Sequence, residues 1–342
     1  MSMRKVWKVA ICSALMIVCG EAGLQLLGFG HPALVTTDSP AQYEPVPDQC
    51  IHRVWPLSDS LVAHVCTNRF GMRSDPISEK KPPGTLRIYF LGDSITWGTT
   101  EVDQRSLFTE IVHRELPLEL HQPVEVMNGS ISGWAIANEL EFLKEHGTLN
   151  ADRVILVLND GDPTQPIAPK PVDEDIPSIA HHPIFGFQEL WDRGFRPQLG
   201  RLLQRVNIHW DQAATEDPGF AIGHDQAVLQ NNMALFGQMN AFVKASGARL
   251  SILFIPFQDL LVDPSTAGDV PTGKEAVERW ANRNCVPFVD LGPVMSKYPL
   301  DTVVLRDHRH FNVRGNRDIA TQIEAHWAQL VDSPLSKSQL PY

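Results

Sequence analysis

Basic residues are scarce. The chain has 29 Lys and Arg against 40 Asp and Glu, a net charge of −11, and a surface of that sign opposes general attraction to phosphate backbones and anionic lipid headgroups. Nucleic acid is therefore not expected as a partner. The 342 residues contain no biased tract, and 43% hydrophobic against 20% charged residues excludes a disordered or fibrous chain. Neither Cys-x-x-Cys nor His-Glu-x-x-His spacing occurs, so nothing calls for a metal or other cofactor; His181-His182, in a Pro-rich stretch, reads as a solvated loop. Cysteine is sparse too: two of the five, Cys12 and Cys19, lie in the first thirty residues. In an oxidising compartment Cys50 and Cys66 can close a short loop worth about 3 kcal/mol, and three free thiols are the alternative. Cys285, just before Val286, reads as a buried strand-edge thiol.

The first thirty residues are a different material from the rest. Arg4, Lys5 and Lys8 precede an uncharged, mostly apolar run from Val9 to Gly20, the pattern of an export signal whose positive flank stays in the cytoplasm. Everything after residue 30 is then expected outside it, in the periplasm or cell envelope. Apolar character resumes from Ala22 to Gly30, so residues 1–30 are either a cleaved signal peptide or a retained anchor. The uncut stretch is about 20 residues, enough to span, with Glu21 costing ~3 kcal/mol near the centre. The anchor through residues 9–30 is the favoured reading.

From residue 31 to 84 the sequence is rich in Pro, Asp and Ser, and an irregular segment with a small hairpin is expected. Thereafter short β-branched runs alternate with stretches of helical spacing. Leu86–Leu91, Val124–Met127, Arg153–Leu158, Arg249–Ile255 and Val286–Val289 read as five buried strands, and a last helix is expected from Arg314 to Leu330. Such alternation implies a parallel sheet covered on both faces over residues 85–332, followed by a tail at 333–342. The connection from Asn159 to Ala248 far exceeds the roughly 30 residues of a βαβ unit. Its part from about 160 to 222 reads as a lid-like insertion leaving the carboxyl end of the third strand, where ligands bind in open α/β sheets. Phe185, Phe187, Trp191, Phe195 and Trp210 in it read as a small satellite core, with sugar stacking the alternative.

Four features carry chemistry. Gly92-Asp93-Ser94 follows the first strand and opens a helix, which exposes Ser94 on a turn and aims its N–H outward; taken alone it is also an ordinary helix cap. Asp307-x-x-His310 lies just before the last helix, and an acid three residues ahead of a His can hold Nδ1 and leave Nε2 to take a proton from a serine. His308 is a competing base, but adjacent to Asp307 it is less easily aligned. Asn128 to Gly133 follows the second strand and Asn159 the third; Gly133 can offer a backbone N–H and Asn159 an amide N–H.

Together these blocks resemble the SGNH, or GDSL-type, hydrolase family, in which blocks carrying Ser, Gly, Asn and His occur in this order. The resemblance implies a three-layer α/β/α sandwich with a flavodoxin-like five-stranded sheet of order 2-1-3-4-5. It implies Ser94 as nucleophile, His310 as base, Asp307 as its orienting acid, and an oxyanion hole of Ser94, Gly133 and Asn159. One departure is Val157, where family members often have Gly two residues before the Asn. Asn68-Arg69-Phe70-Gly71-Met72-Arg73 is similar to a segment of membrane-tethered bacterial members associated with acylation of cell-surface carbohydrate. The expected reaction is transfer of an acyl group, acetyl foremost, from an ester on a small molecule or glycan to water or to a sugar hydroxyl. A tethered binding protein using the same pocket is the rival from another class.

Overall fold

The computed structural model describes residues 3–54, 61–168, 185–195, 199, 226–257, 273–305 and 309–331. A long helix, α1 (Met3–Leu26), is followed by four short strands: β1 (Val35–Thr36) pairs with β2 (Glu44–Pro45), and β3 (Cys50–Val54) with β4 (Val62–Cys66), both antiparallel. The expected small hairpin is β3–β4, and Cys50 and Cys66 are joined across its open end with Cα atoms 4.0 Å apart. Period-two alternation puts Ala63 and Val65 inside and His64 outside.

Five parallel strands form the sheet: β5 (Leu86–Gly92), β6 (Val124–Ser130), β7 (Arg153–Leu158), β8 (Arg249–Phe254) and β9 (Phe288–Asp290). Their order is β6-β5-β7-β8-β9, which in sheet numbering is the expected 2-1-3-4-5. Alternate residues of β5 feed two separate cores. Tyr89 and Leu91 face α4 (Ile136–His146) and α6 (Gln226–Ala245), while Ile88 and Phe90 face α3 (Phe108–Leu120) and α8 (Val313–Ala325). Between α4 and α6 in the chain lies the short α5 (Gly186–Glu189), and α7 (Lys274–Arg283) precedes β9. Both faces of the sheet are therefore dry, as the continuous apolar runs require.

Three boundaries differ from the sequence reading by more than a single residue at a strand end. β6 runs on to Ser130 because buried Asn128 finds partners in the Thr96 carbonyl at 2.8 Å and Thr109 Oγ1 at 3.3 Å. β9 begins two residues late because Cys285 is left-handed (φ +52°) and the Val286 N–H closes back on the Ala281 carbonyl at 2.9 Å. Cys285 is accordingly a half-buried turn residue rather than a buried strand-edge thiol. The last helix breaks at His326 and resumes over Trp327–Val331, yet Ile319, Ile323, Trp327 and Leu330 all stay buried as one stripe.

Among the described residues the insertion's aromatics form no satellite core: Phe185 (56% exposed), Phe187 (44%), Trp191 (48%) and Phe195 (59%) lie at the surface, the Phe187 ring with one edge against Gly20 of α1; Trp210, like His181-His182, lies outside the described residues. With the hairpin bond closed, denatured protein treated with a maleimide before reduction should gain three labels, on Cys12, Cys19 and Cys285, and five after reduction. Intact-mass spectrometry reads the difference, and five labels without reductant would contradict the pairing.

Candidate active site

The order of the sheet reverses between β5 and β7, since β5 connects to β6 on one side and the chain returns to β7 on the other. Ligands of open α/β sheets bind outside the carboxyl ends at such a point. Ser94 follows β5 there and Asn159 follows β7.

Ser94 is the first residue of the one-turn helix α2 (Ser94–Trp97), capped by Asp93, whose Oδ1 accepts the Ile95 N–H at 2.9 Å. Gly92 is required immediately before it: a Cβ there would lie 2.3 Å from Thr96 Oγ1 and 3.1 Å from the Val157 carbonyl. Contrary to the exposure expected of it, Ser94 is buried at the sheet edge, because the loops beyond the strands close over the turn, and its Oγ has no hydrogen-bond partner among the described residues. A buried hydroxyl left unpaired is a group held for something other than stability.

Asn159 is fixed from three sides. Its Nδ2 donates to Asp93 Oδ2 at 2.9 Å, its Oδ1 accepts the Gly161 N–H at 2.8 Å, and its own N–H donates to Asp162 Oδ2 at 2.7 Å. An amide nitrogen carries two hydrogens, so the bond to Asp93 leaves Asn159 one donor for a ligand. Gly133, on the loop after β6, is left-handed (φ +86°), and a Cβ would meet the Tyr43 hydroxyl at 2.9 Å. Tyr43 donates to the Ser132 carbonyl at 2.8 Å, so the segment before the sheet covers this loop.

His310 stands in the loop leading into α8. Its carbonyl accepts the Leu305 N–H at 2.7 Å, and Asn312 caps α8 through the Gly315 N–H at 2.9 Å. The imidazole lies close enough to Asp93 to favour that residue's ionised form. Asp307 and the competing base His308 lie outside the described residues.

Several residues at the site escaped the sequence reading. Asp93 is a hub rather than a spacer, and burial pushes its carboxyl up, against the Ile95 N–H, His310 and Asn159, which all hold it down. Behind it Glu139 and Asp162 are fully buried, and desolvation, reinforced by the nearby Asp93 charge, pushes both well above the carboxylate range. Both oxygens of Glu139 lack hydrogen-bond partners among the described residues. Its position one turn into an amphipathic helix gave no warning. Arg73, buried under Trp97, donates to the carbonyls of Trp97 (2.6 Å), Thr99 (2.5 Å) and Val102 (2.8 Å), which fixes the loop after α2. The signal for it was present in the Asn68–Arg73 segment.

One set of described side chains offers ligand atoms to a metal: Glu44, Glu145 and His146, within 4.8 Å of one another. It lies at the far end of α4 from Gly133, and its members already bond to Ser39 and to each other.

No protein-family model and no curated protein matches the chain. Among solved structures it is similar to LAE5, an alpha/beta hydrolase enzyme from the metagenome of Lake Arreo, Spain, at 13% identity over 74% of this chain and 98% of that one, with a TM-score of 0.45. It is likewise similar to the lipase/acylhydrolase from Enterococcus faecalis (15% identity, 73% and 100% of the chains, TM-score 0.41). A third is a two-domain esterase active on acetylated mannans (15% identity, TM-score 0.44), of which the match covers 53% against 74% of this chain. These neighbours are esterases, lipases and hydrolases; the fold assignment rests on this chain's own strand order and layers.

An unfolded Glu titrates near its ordinary value of 4.5, whereas native Glu139 holds its proton to higher pH. The native state therefore loses stability relative to the unfolded one as pH rises above about 4.5, until native Glu139 also ionises. Glu139→Gln removes that loss, so its melting temperature relative to the parent should be unchanged near pH 4 and increasingly higher towards pH 8. Thermal unfolding across this range checks it, and an offset independent of pH would contradict the buried neutral carboxyl.

Proposed function

We propose that the chain is a serine ester hydrolase of the SGNH type, anchored to or exported across the cytoplasmic membrane and acting on an acyl ester, acetyl foremost, of a carbohydrate or other cell-envelope molecule. The observation that carries this is the buried Ser94 Oγ at the sheet's switch point, without a hydrogen-bond partner among the described residues, beside an Asn159 amide held by the residue before the serine.

In this reading Ser94 Oγ attacks the ester carbonyl while its proton passes to His310 Nε2, with Asp307 holding Nδ1. The carbonyl oxygen becomes an oxyanion received by the N–H groups of Ser94 and Gly133 and the remaining amide hydrogen of Asn159. Collapse expels the alcohol, which takes the proton from His310. Water, deprotonated by the same imidazole, then releases the acid from the acyl-enzyme. If a sugar hydroxyl takes the place of water, the same residues perform O-acetyl transfer. The departure of the insertion from this edge of the sheet favours keeping that second reading.

Ser94→Ala should abolish hydrolysis of p-nitrophenyl acetate and labelling by a fluorophosphonate while leaving the melting temperature nearly unchanged. Wild-type activity in that variant, or no labelling of the parent, would favour the rival binding protein or another nucleophile. Asn159→Ala should lower kcat by roughly 10²- to 10³-fold, the usual effect of one oxyanion donor. His310→Ala should lose several orders of magnitude and His308→Ala far less, with Asp307→Asn also strongly impaired; a collapse at His308 with His310 intact would move the base. For location, a C-terminal alkaline phosphatase fusion should be active, and an inactive one paired with a fluorescent cytoplasmic fusion would reverse the topology.

A further inference from the structure

Among the described residues α1 is the one helix long and apolar enough to cross a membrane. Its first turns carry Arg4, Lys5 and Lys8, and around its other end two pieces of chain gather that are remote in sequence. Glu21, a costly residue at membrane depth, is satisfied by the start of α5: the Gly186 N–H donates to it at 2.7 Å and the Phe187 N–H at 3.1 Å. The Phe187 ring lies against Gly20, where a Cβ would come within 2.8 Å of it. From the other side the β3–β4 hairpin docks through the Val54 N–H on the Leu27 carbonyl at 3.0 Å. A buried ion pair, Arg53 to Glu189 at 2.6 Å, locks the hairpin to α5, and the same Glu189 accepts the Gly30 N–H at 2.6 Å.

This locked unit turns its apolar groups outward. Phe185, Phe187, Trp191 and Phe195 are exposed on the insertion and Leu61 and Val62 on the hairpin, all carried by elements that dock at the helix end. Exposed aromatics in such a setting mark contact with a membrane interface, where rings sit at headgroup level. Net charge of −11 argues that apolar contact, rather than attraction to anionic headgroups, holds the surface there.

We propose that Phe185, Phe187, Trp191 and Phe195 form an interfacial platform resting in the outer headgroup zone of the bilayer that α1 enters. The platform sets the orientation of the sheet on the membrane and ties the insertion, which leaves from the edge carrying Ser94 and Asn159, to the lipid surface. This rests on the retained-anchor reading of α1 and is independent of the chemistry at Ser94.

The test uses the full chain with Cys12, Cys19 and Cys285 replaced by serine, reconstituted in phosphatidylcholine nanodiscs. A nitroxide is placed in turn at Phe185→Cys, Trp191→Cys and Phe195→Cys, with Leu15→Cys in α1 and Leu118→Cys on the exposed face of α3 as references. Collision with oxygen and with a water-soluble nickel chelate reports depth. The ratio of oxygen to nickel collisions at the three platform sites should exceed that at Leu118 several-fold and fall below that at Leu15, in variants whose melting temperature matches the parent's. Platform labels as accessible to nickel as Leu118 would overturn the proposal. So would labels shielded from both reagents, which would mean that protein covers the surface. An aqueous label at Leu15 would overturn it by removing the anchor, and none of these outcomes bears on Ser94.

Discussion

The hydrogen bond from Asn159 to Asp93 crosses the one place where the sheet's connections part company. β5 and β7 lie side by side, but the chain leaves them in different directions, and only side chains can join their carboxyl ends. Asp93 does this while capping α2, so the same carboxyl sets the turn that presents Ser94 and the amide of Asn159. A carboxyl with no access to water is expensive to ionise. Its donors and the attraction of His310 offset part of that cost, and burial still pushes it upward. Glu139 and Asp162 meet the same burial with less help, and it pushes both well above the carboxylate range. The region behind the serine is thus a set of acids that share little charge, and adding a second negative charge would work against the first.

The irregular segment before the sheet is part of this arrangement. Tyr43 accepts the Trp134 indole N–H on its carbonyl at 2.9 Å and donates its hydroxyl to Ser132, so it grips the Gly133 loop twice. Asn138 ties Ala41 and Ala168 to the start of α4, each at 2.9 Å. Arg73 holds the loop after α2 through three carbonyls, and desolvation lowers its pKa to about 9. Residues that read as an irregular segment are packed struts, because the loops at a sheet edge expose carbonyls that the sheet cannot satisfy.

At the other end of that segment, α1, the hairpin and the insertion form one locked unit through Arg53 and Glu189. A buried ion pair of this kind gives little net stability but strongly penalises the loss of either partner, so it enforces one arrangement of three elements. Its effect on function is positional: the insertion that starts beside Asn159 is held against the end of α1.

Periodicity and spacing were enough for the five strands, for the covered faces and for Ser94, Gly133, Asn159 and His310 as candidates, because buried parallel strands are written as continuous apolar runs and turn residues sit at fixed places after them. Asp93 was visible only as the middle of Gly-Asp-Ser, since a cap and a hub have the same local sequence. Glu139 and Asp162 carried no local mark of burial; a charged residue on a helix or loop looks solvated until the elements packing over it are known. The Cys50–Cys66 link and the outward turn of the insertion's aromatics were equally undecided, because either outcome satisfies the local pattern. Sequence by itself determined the strands, their flanking turns and the polar groups that end them. Tertiary structure alone decided which acids lie in the dry interior and which rings face out, because burial is a property of what comes to lie opposite a residue and not of its neighbours along the chain.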